Sequence, residues 1–323
     1  MSLRLSGTSS YILFQRNLGL RNAELFKSSE QLSSQKRINR PSDDPEGAKA
    51  VLNFRTALDR IDQYKSNILA ARRSLVQTEN AVSGTKTELD RIKEIALQAN
   101  NSFMSTEARL ALAEEVRQIT QTVLGLANTE VNGEYIFSGF KTDTLPFTLD
   151  ANFPTPPTAT YNGDTNLKSV KIGEGETIES QIRGDLLFLG DGGPRSVDIF
   201  QVLGTLENTL RTEVNPAANP GDPDHFDTIS AALGESIEDI DIAINQVIRD
   251  LTQLGGKTNR LDTAENNFEI QKETLKTFIS DIEDKDFAEI TMEFQRAQLA
   301  LQATLGAANA TLTLPSLMDF VGR

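Results

Sequence analysis

Apolar residues recur seven apart over two long stretches of the chain. Phe54, Ile61, Ile68, Leu75, Val82, Leu89 and Ala96 form one row, and Ala57, Tyr64, Ala71, Thr78, Thr85, Ile92 and Ala99 a second, three residues later. Two rows at heptad spacing make a seam on one helix face that has to be buried against other helices. The pattern predicts one helix from about Pro45 to Asn100, with Gly84 the glycine of its interior. At 1.5 Å per residue it would be roughly 80 Å long, longer than the roughly 50 Å diameter of a compact ball of this chain length. A rod is expected. The heptad returns far along the chain in Phe226, Leu233, Ile240, Val247, Leu254, Leu261, Phe268, Leu275 and Ile282, with Ile237, Ile244 and Leu251 as a companion row. The two arrays are natural partners. Gly255-Gly256 interrupts the second at roughly 1 kcal/mol per glycine, marking a bend or a close approach to the first long helix.

Thinner stripes lie at both ends. Residues 1–36 carry Tyr11, Leu18, Leu25 and Leu32 with Phe14 beside them, but Arg21 and Ser28 leave that seam half made. Near the other end Phe287, Ile290, Phe294, Ala297, Leu301, Leu305, Ala308 and Leu312 form a last stripe, which stops before Pro315. A helix so weakly apolar is marginal alone. Two readings stand: a surface helix packed on the chain's own core, or a segment that orders on assembly. Under the second, the candidate subunit-interface residues are Tyr11, Phe14, Leu18, Leu25, Leu32, Phe287, Ile290, Phe294, Leu301, Leu305 and Leu312.

Local signals fill in the rest. Pro41 disfavours helix in the residue before it, so the first helix should end near Ile38 or Asn39. Asp44 is placed to cap the long helix, with Pro45 at its first position and Asp43 and Glu46 complementing its dipole. Ser105 is a plausible cap for a third helix carrying Leu112, Val116, Ile119, Val123 and Leu126 to about Glu130, antiparallel to the long one after a short connection. From Asn132 the period switches to aromatic, β-prone sequence. Asn162-Gly163 is a type I′ hairpin signal, and Val170 to Ile172 and Leu186 to Leu189 read as strands. Ser196 to Thr212 looks helical, and residues 215–224 read as a loop. The architecture is mainly α: an elongated antiparallel helical bundle or coiled coil formed by the two halves of the chain, with a small β-rich insert. The expected domains are a terminal pair of 1–41 with 285–323, a helical rod of 42–142 with 196–284, and an insert at 143–195.

Composition narrows the chemistry. The net charge is −14 with a pI near 4.7, which opposes nucleic-acid binding and an anionic membrane surface. No stretch of eighteen apolar residues suggests membrane insertion, and the N-terminus lacks a secretory apolar core. With no cysteine and one histidine, His225, thiolate metal sites have no ligands. Asp222, Asp224 and Asp227 resemble part of a calcium loop, but its glycine and closing glutamate are missing. Gly173-Glu174-Gly175-Glu176 is acidic and lacks the lysine of a phosphate loop. Asp43 and Asp44 are explained by the helix start, and no nucleophile–base pair accompanies them. No enzyme, catalytic residue, cofactor or metal is expected.

Several stretches together resemble the flagellin superfamily of bacterial flagellar axial proteins. They are Gln31-Leu-Ser-Ser-Gln-Lys-Arg-Ile38, Arg40-Pro-Ser-Asp-Asp-Pro45, Asn132-Gly-Glu-Tyr-Ile-Phe-Ser-Gly-Phe-Lys-Thr-Asp-Thr-Leu-Pro-Phe147, Ile282-Glu-Asp-Lys-Asp-Phe-Ala-Glu289, and Gln298 to Ala310. The likeness covers about 1–148 and 226–323. The Arg-Pro-Ser-Asp-Asp-Pro form and the Tyr-Ile-Phe-Ser-Gly-Phe-Lys-Thr element favour the junction proteins between hook and filament over flagellin itself. Ser34-Gln35 departs from the family, which often has glycine before the Lys-Arg pair. The ending, Met318 to Arg323, is unlike a typical flagellin tail. The resemblance implies an extracellular structural subunit of the flagellum, exported through the flagellar type III apparatus without a cleaved signal. Implied partners are further copies of itself in a ring or layer, hook-associated protein 1, flagellin or the filament cap, and an export chaperone. A short flagellin is the neighbouring alternative. A cytoplasmic coiled-coil adaptor remains if the motif matches are chance.

Overall fold

Helix α2, Pro45–Ala99, is one unbroken helix of 55 residues, and its two heptad rows are the buried ones. Ile68, Leu75, Val82, Leu89, Ile92 and Ala96 are fully buried, as are Thr78 and Thr85. The two threonine hydroxyls donate to the carbonyls of Ser74 and Ala81, 2.9 Å away in each case, so neither is stranded in the core. The computed structural model describes residues 3–100, 104–150, 159–213 and 226–312, with backbone only for 3–10, 226, 308 and 310–312. Contacts divide the chain into one unit of residues 1–61 with 269–323 and another of 62–268.

In the unit of residues 62–268, α2 runs antiparallel to α6 (Phe226–Glu283). Arg72 pairs with Asp262 and Glu265, each at 2.6 Å, Lys93 with Asp241 at 2.6 Å, and Tyr64 stacks on Phe268. Leu233, Ile240, Val247, Leu254 and Leu261 supply the facing buried row. Helix α3 (Thr106–Ala127) is capped by Ser105, whose hydroxyl accepts from the Ala108 amide. It returns along α2, with Arg91 on Glu115 and Leu126 packed over Gly84. Any side chain at 84 would crowd that leucine. Helix α5 (Ile199–Arg211), capped by Asp198, packs on α3.

Among the described residues of this unit are three antiparallel two-stranded ribbons: β1 (Glu130–Val131) with β2 (Glu134–Tyr135), β3 (Phe147–Leu149) with β4 (Ala159–Tyr161), and β5 (Ser169–Lys171) with β6 (Thr177–Glu179). The mainly α architecture with a small β-containing insert holds, with local corrections. The Asn-Gly turn is at Asn132-Gly133, whose φ values of 56° and 85° join β1 to β2 in the manner of a type I′ turn. Asn162-Gly163 joins no paired strands; Gly163 is required because Tyr161 lies against it, where a Cβ would come within 2.4 Å of the phenol. Leu186 to Leu189 is not a strand: Gly184–Phe188 forms a short helix, α4. A brief apolar run does not separate strand from buried helix by periodicity. Here Gly184 decides, since its bare Cα lets the chain pass the Phe137 carbonyl. Phe137, Phe147, Phe188 and Phe200 then cluster with no exposure, with ring centroids 5.1 to 6.0 Å apart.

Gln246 of α6 fastens this insert to the helices. Its amide nitrogen lies 2.7 Å from the Leu187 carbonyl and 3.1 Å from that of Leu186, while its oxygen accepts from the Ser196 hydroxyl and the Val197 amide. Gly255-Gly256 marks no close approach, because a Cβ at either would meet nothing within 4 Å and α6 continues through both.

The other unit contains α1 (Leu3–Ser34), the first turns of α2, the last turns of α6, and α7 (Phe287–Leu312). Asp44 caps α2 by accepting from the Gly47 amide at 2.9 Å. α1 stops at Ser34, before the expected Ile38, because Gln35 takes φ 59° and its amide donates back to the Gln31 carbonyl. The proline at 41 is not what ends it.

Two stability changes follow. Gly255→Ala and Gly256→Ala should each raise stability by about 0.5–1 kcal/mol, read as a higher urea midpoint at unchanged slope. Burial pushes the Asp250 carboxyl up to about 6, above its unfolded value, so its contribution to stability is whole below pH 4 and is lost as pH rises through about 6. Asp250→Asn should therefore stabilise the chain by about 1–2 kcal/mol at pH 7 and flatten the pH dependence between 4 and 6.

Candidate assembly surface

The terminal helices pack on each other, α1 running back along α7 from their junction at residues 34–36 and 284–287. On α7 the side facing α1 carries Ile290, which is fully buried, Ala297, and the half-buried Phe294 and Leu301. On α1 it carries the half-buried Phe14, Leu18, Leu25 and Leu32. These seven of the eleven interface residues named from sequence thus lie along the contact inside the chain. Tyr11, Phe287 and Leu305 are exposed beside it. The side chain of Leu312 lies outside the described residues.

A second apolar set faces outward. Phe26 is 74% exposed and Leu299 65%, and Ile12, Leu13, Leu20 and Met292 are each more than half exposed. Met292 and Leu299 are seven apart, as are Leu13 and Leu20, so the same rule that found the inner seam would have found these. A single stripe does not describe α1 and α7, because both helices are apolar on more than one side. A two-helix pair that is apolar inside and outside is incomplete in water. Its outer faces suit burial against other helices.

Ion pairs and hydrogen bonds hold the base of the pair. Glu283, at the end of α6, accepts from Lys36 at 2.9 Å and from Arg55 of α2 at 2.8 Å on both oxygens. Burial pushes its carboxyl up, but the hydrogen bonds from Lys36 and Arg55 outweigh that and hold it below the usual range. Arg37 joins the Ile282 carbonyl, a helix end that favours a cation, to Asp44, the cap of α2. Asp43 accepts from the Asn39 and Arg40 amides and pairs with Lys27, which lowers its pKa. Asp44 is lowered by the Gly47 amide and Arg37. Both aspartates are occupied in shaping the connection. Glu283 carries no sequence signal, because a carboxylate near a helix end is usually solvated.

Among the described residues no three His, Cys, Asp or Glu side chains come close enough to hold a metal ion. Asp222, Asp224 and His225 lie outside the described residues, and Asp227 sits in the first turn of α6. Gly173 to Glu176 is the turn between β5 and β6. No described helix is long and apolar enough to cross a membrane.

Residues 6–142 match the family model of the bacterial flagellin N-terminal helical region, and residues 237–312 that of the C-terminal helical region. Flagellar hook-associated protein 3 of Escherichia coli is 28% identical over 305 residues, covering 93% of this chain and 95% of that protein. Its counterpart in Salmonella typhimurium is 26% identical, covering 92% and 94%. Flagellin of Bacillus subtilis is 28% identical over 300 residues, covering 90% and 91%. Among solved structures, a flagellar hook-associated protein of Vibrio parahaemolyticus superposes with a TM-score of 0.62 at 22% identity, over 75% of this chain and all of that one. The flagellar junction protein FlgL of Legionella pneumophila gives 0.61 at 17% identity, over 73% and 100%. These two likenesses concern the fold.

Substitutions should separate the two faces. Ile290→Asp and Leu301→Asp, on the contact inside the chain, should lower the thermal midpoint of the isolated protein. Phe26→Ser and Leu299→Ser should change its stability by no more than about 0.5 kcal/mol, as exposed substitutions do, while preventing incorporation into a polymer.

Proposed function

The chain belongs to the flagellin family, and from that membership we infer that it is a structural subunit of the bacterial flagellum that joins hook to filament, assembling through its N- and C-terminal helices. The observation that carries the reading is the α1–α7 pair, which stands at the two chain ends and keeps an apolar face outward. Full-length likeness to two hook-associated proteins 3 favours the junction over the filament. Copies would meet by burying Ile12, Leu13, Leu20, Phe26, Met292 and Leu299. Complete burial of such side chains is worth about 1.5–3 kcal/mol each, set against the freedom lost on association. Because α1 and α7 are already paired within one chain, association adds contacts between preformed helices. The reading of these ends as segments that fold only on assembly is not needed for the mechanism.

As part of the flagellum the protein belongs to an extracellular appendage. Export through the flagellar type III apparatus without a cleaved leader is the proposed route. The proposed neighbours are other copies in a ring or layer, hook-associated protein 1 on the hook side, and flagellin or the cap on the filament side, with an export chaperone before assembly. The family is structural, and no catalytic role is proposed.

A filament role is the second reading, favoured by the equal identity to a flagellin over 300 residues. Seeding separates the two. Purified protein added to hook fragments bearing the neighbouring junction layer should add a limited layer and then stop. Continued growth into a filament would establish the second reading and overturn the first.

A further inference from the structure

The base of the terminal pair carries a feature that an assembly role does not require. Glu283 is 10% exposed at its side chain, whereas its partners Lys36 and Arg55 are 38% and 49% exposed. A carboxylate that buried is tolerated only when paired, but the cations can return to water without cost to the core. Beside it the backbone of the α1–α2 connection pairs with the α6–α7 turn. The Arg37 amide donates to the Glu283 carbonyl at 2.6 Å, and the Lys285 amide to the Gln35 carbonyl at 3.3 Å. The residue at the edge of this pairing, Gln35, is held at φ 59°, a left-handed conformation that costs a residue with a Cβ and suits glycine.

We propose that Glu283 is the catch of an electrostatic latch that closes the α1–α2 connection onto the α6–α7 turn, with the strained backbone at Gln35 as its hinge. Closed, the latch brings two stretches of chain, Lys36 after α1 and Arg55 on α2, to one carboxylate at the end of α6. Arg37 reinforces it by tying the Ile282 carbonyl to Asp44. Opened, it releases strain at Gln35, returns two cations and the Glu283 carboxylate to water, and breaks two backbone hydrogen bonds and the Arg37 contact with the Ile282 carbonyl. Nothing in that change disturbs the contact between Ile290, Phe294 and α1 further along the pair. The latch therefore opens locally, below the free energy of unfolding. It is a property of the single chain and stands independently of which flagellar polymer the chain enters.

Amide hydrogen exchange on the full chain tests it. In Glu283→Gln, which preserves shape, and separately in Arg55→Met, exchange at Arg37 and Lys285 should quicken at least tenfold. The double variant should add less than threefold to either single. Amides within α2 between Leu75 and Leu89 should keep their parental rates. Gln35→Gly should slow exchange at Arg37 and Lys285, since glycine takes the closed hinge without strain. Unchanged rates at those two amides in both single variants would overturn the latch, and so would equal acceleration across α2. Faster exchange in Gln35→Gly would overturn the assignment of the hinge.

Discussion

Burial of two seven-spaced rows on α2 is the constraint from which the unit of residues 62–268 follows. One helix cannot hide a seam that presents Ile68, Leu75, Val82 and Leu89 on one line and Ala71 and Ile92 on the next. α3 covers part of it and α6 covers the rest, and both must run antiparallel because short connections or facing ion pairs fix their direction. The insert is then placed by what is left: α5 closes over α3, and Gln246 takes up carbonyls and an amide that would otherwise be buried without partners. The four phenylalanines form a second small core in place of extended sheet, so three short ribbons suffice where a continuous sheet would leave long edges.

The other unit rests on a different balance. Its helices share a thinner apolar contact, and polar groups do more of the positioning. Asp43, Asp44 and Glu283 each accept hydrogen bonds from a turn or a neighbouring helix, so charge sets the path of the connections while apolar burial sets the pairing of α1 with α7. Asp43 and Asp44 act as turn and cap acceptors, in keeping with their place at the helix start.

What was legible in the chain follows from this division. Long periodic elements declared themselves, since a heptad repeated seven times has one physical solution; the bounds of α2 and α6 fell within a residue or two of those expected. The caps at Asp44 and Ser105 were equally plain, because helix starts have a local cause. Short elements were not. Asn132-Gly133 and Asn162-Gly163 are identical dipeptides, and only the flanking strands decide which becomes a two-residue turn. Leu186 to Leu189 became helix through the backbone crossing at Gly184, a contact with Phe137 forty-seven residues away. At the terminal helices periodicity identified the face used inside the chain, and the exposed apolar side chains Phe26, Met292 and Leu299 came forward only once α7 had a partner.

Charge is unevenly divided between the two units. The whole net charge of −14 falls on residues 62–268, while residues 1–61 and 269–323 together are balanced. Within the balanced unit the N-terminal stretch is basic and the C-terminal stretch acidic, and Lys36 and Arg55 with Glu283 bring opposite signs together inside one copy. Bringing several neutral helix pairs side by side incurs no accumulated repulsion, whereas crowding several acidic middles would. In the assembly proposed above, apolar burial at the outward faces of α1 and α7 would meet no net electrostatic opponent.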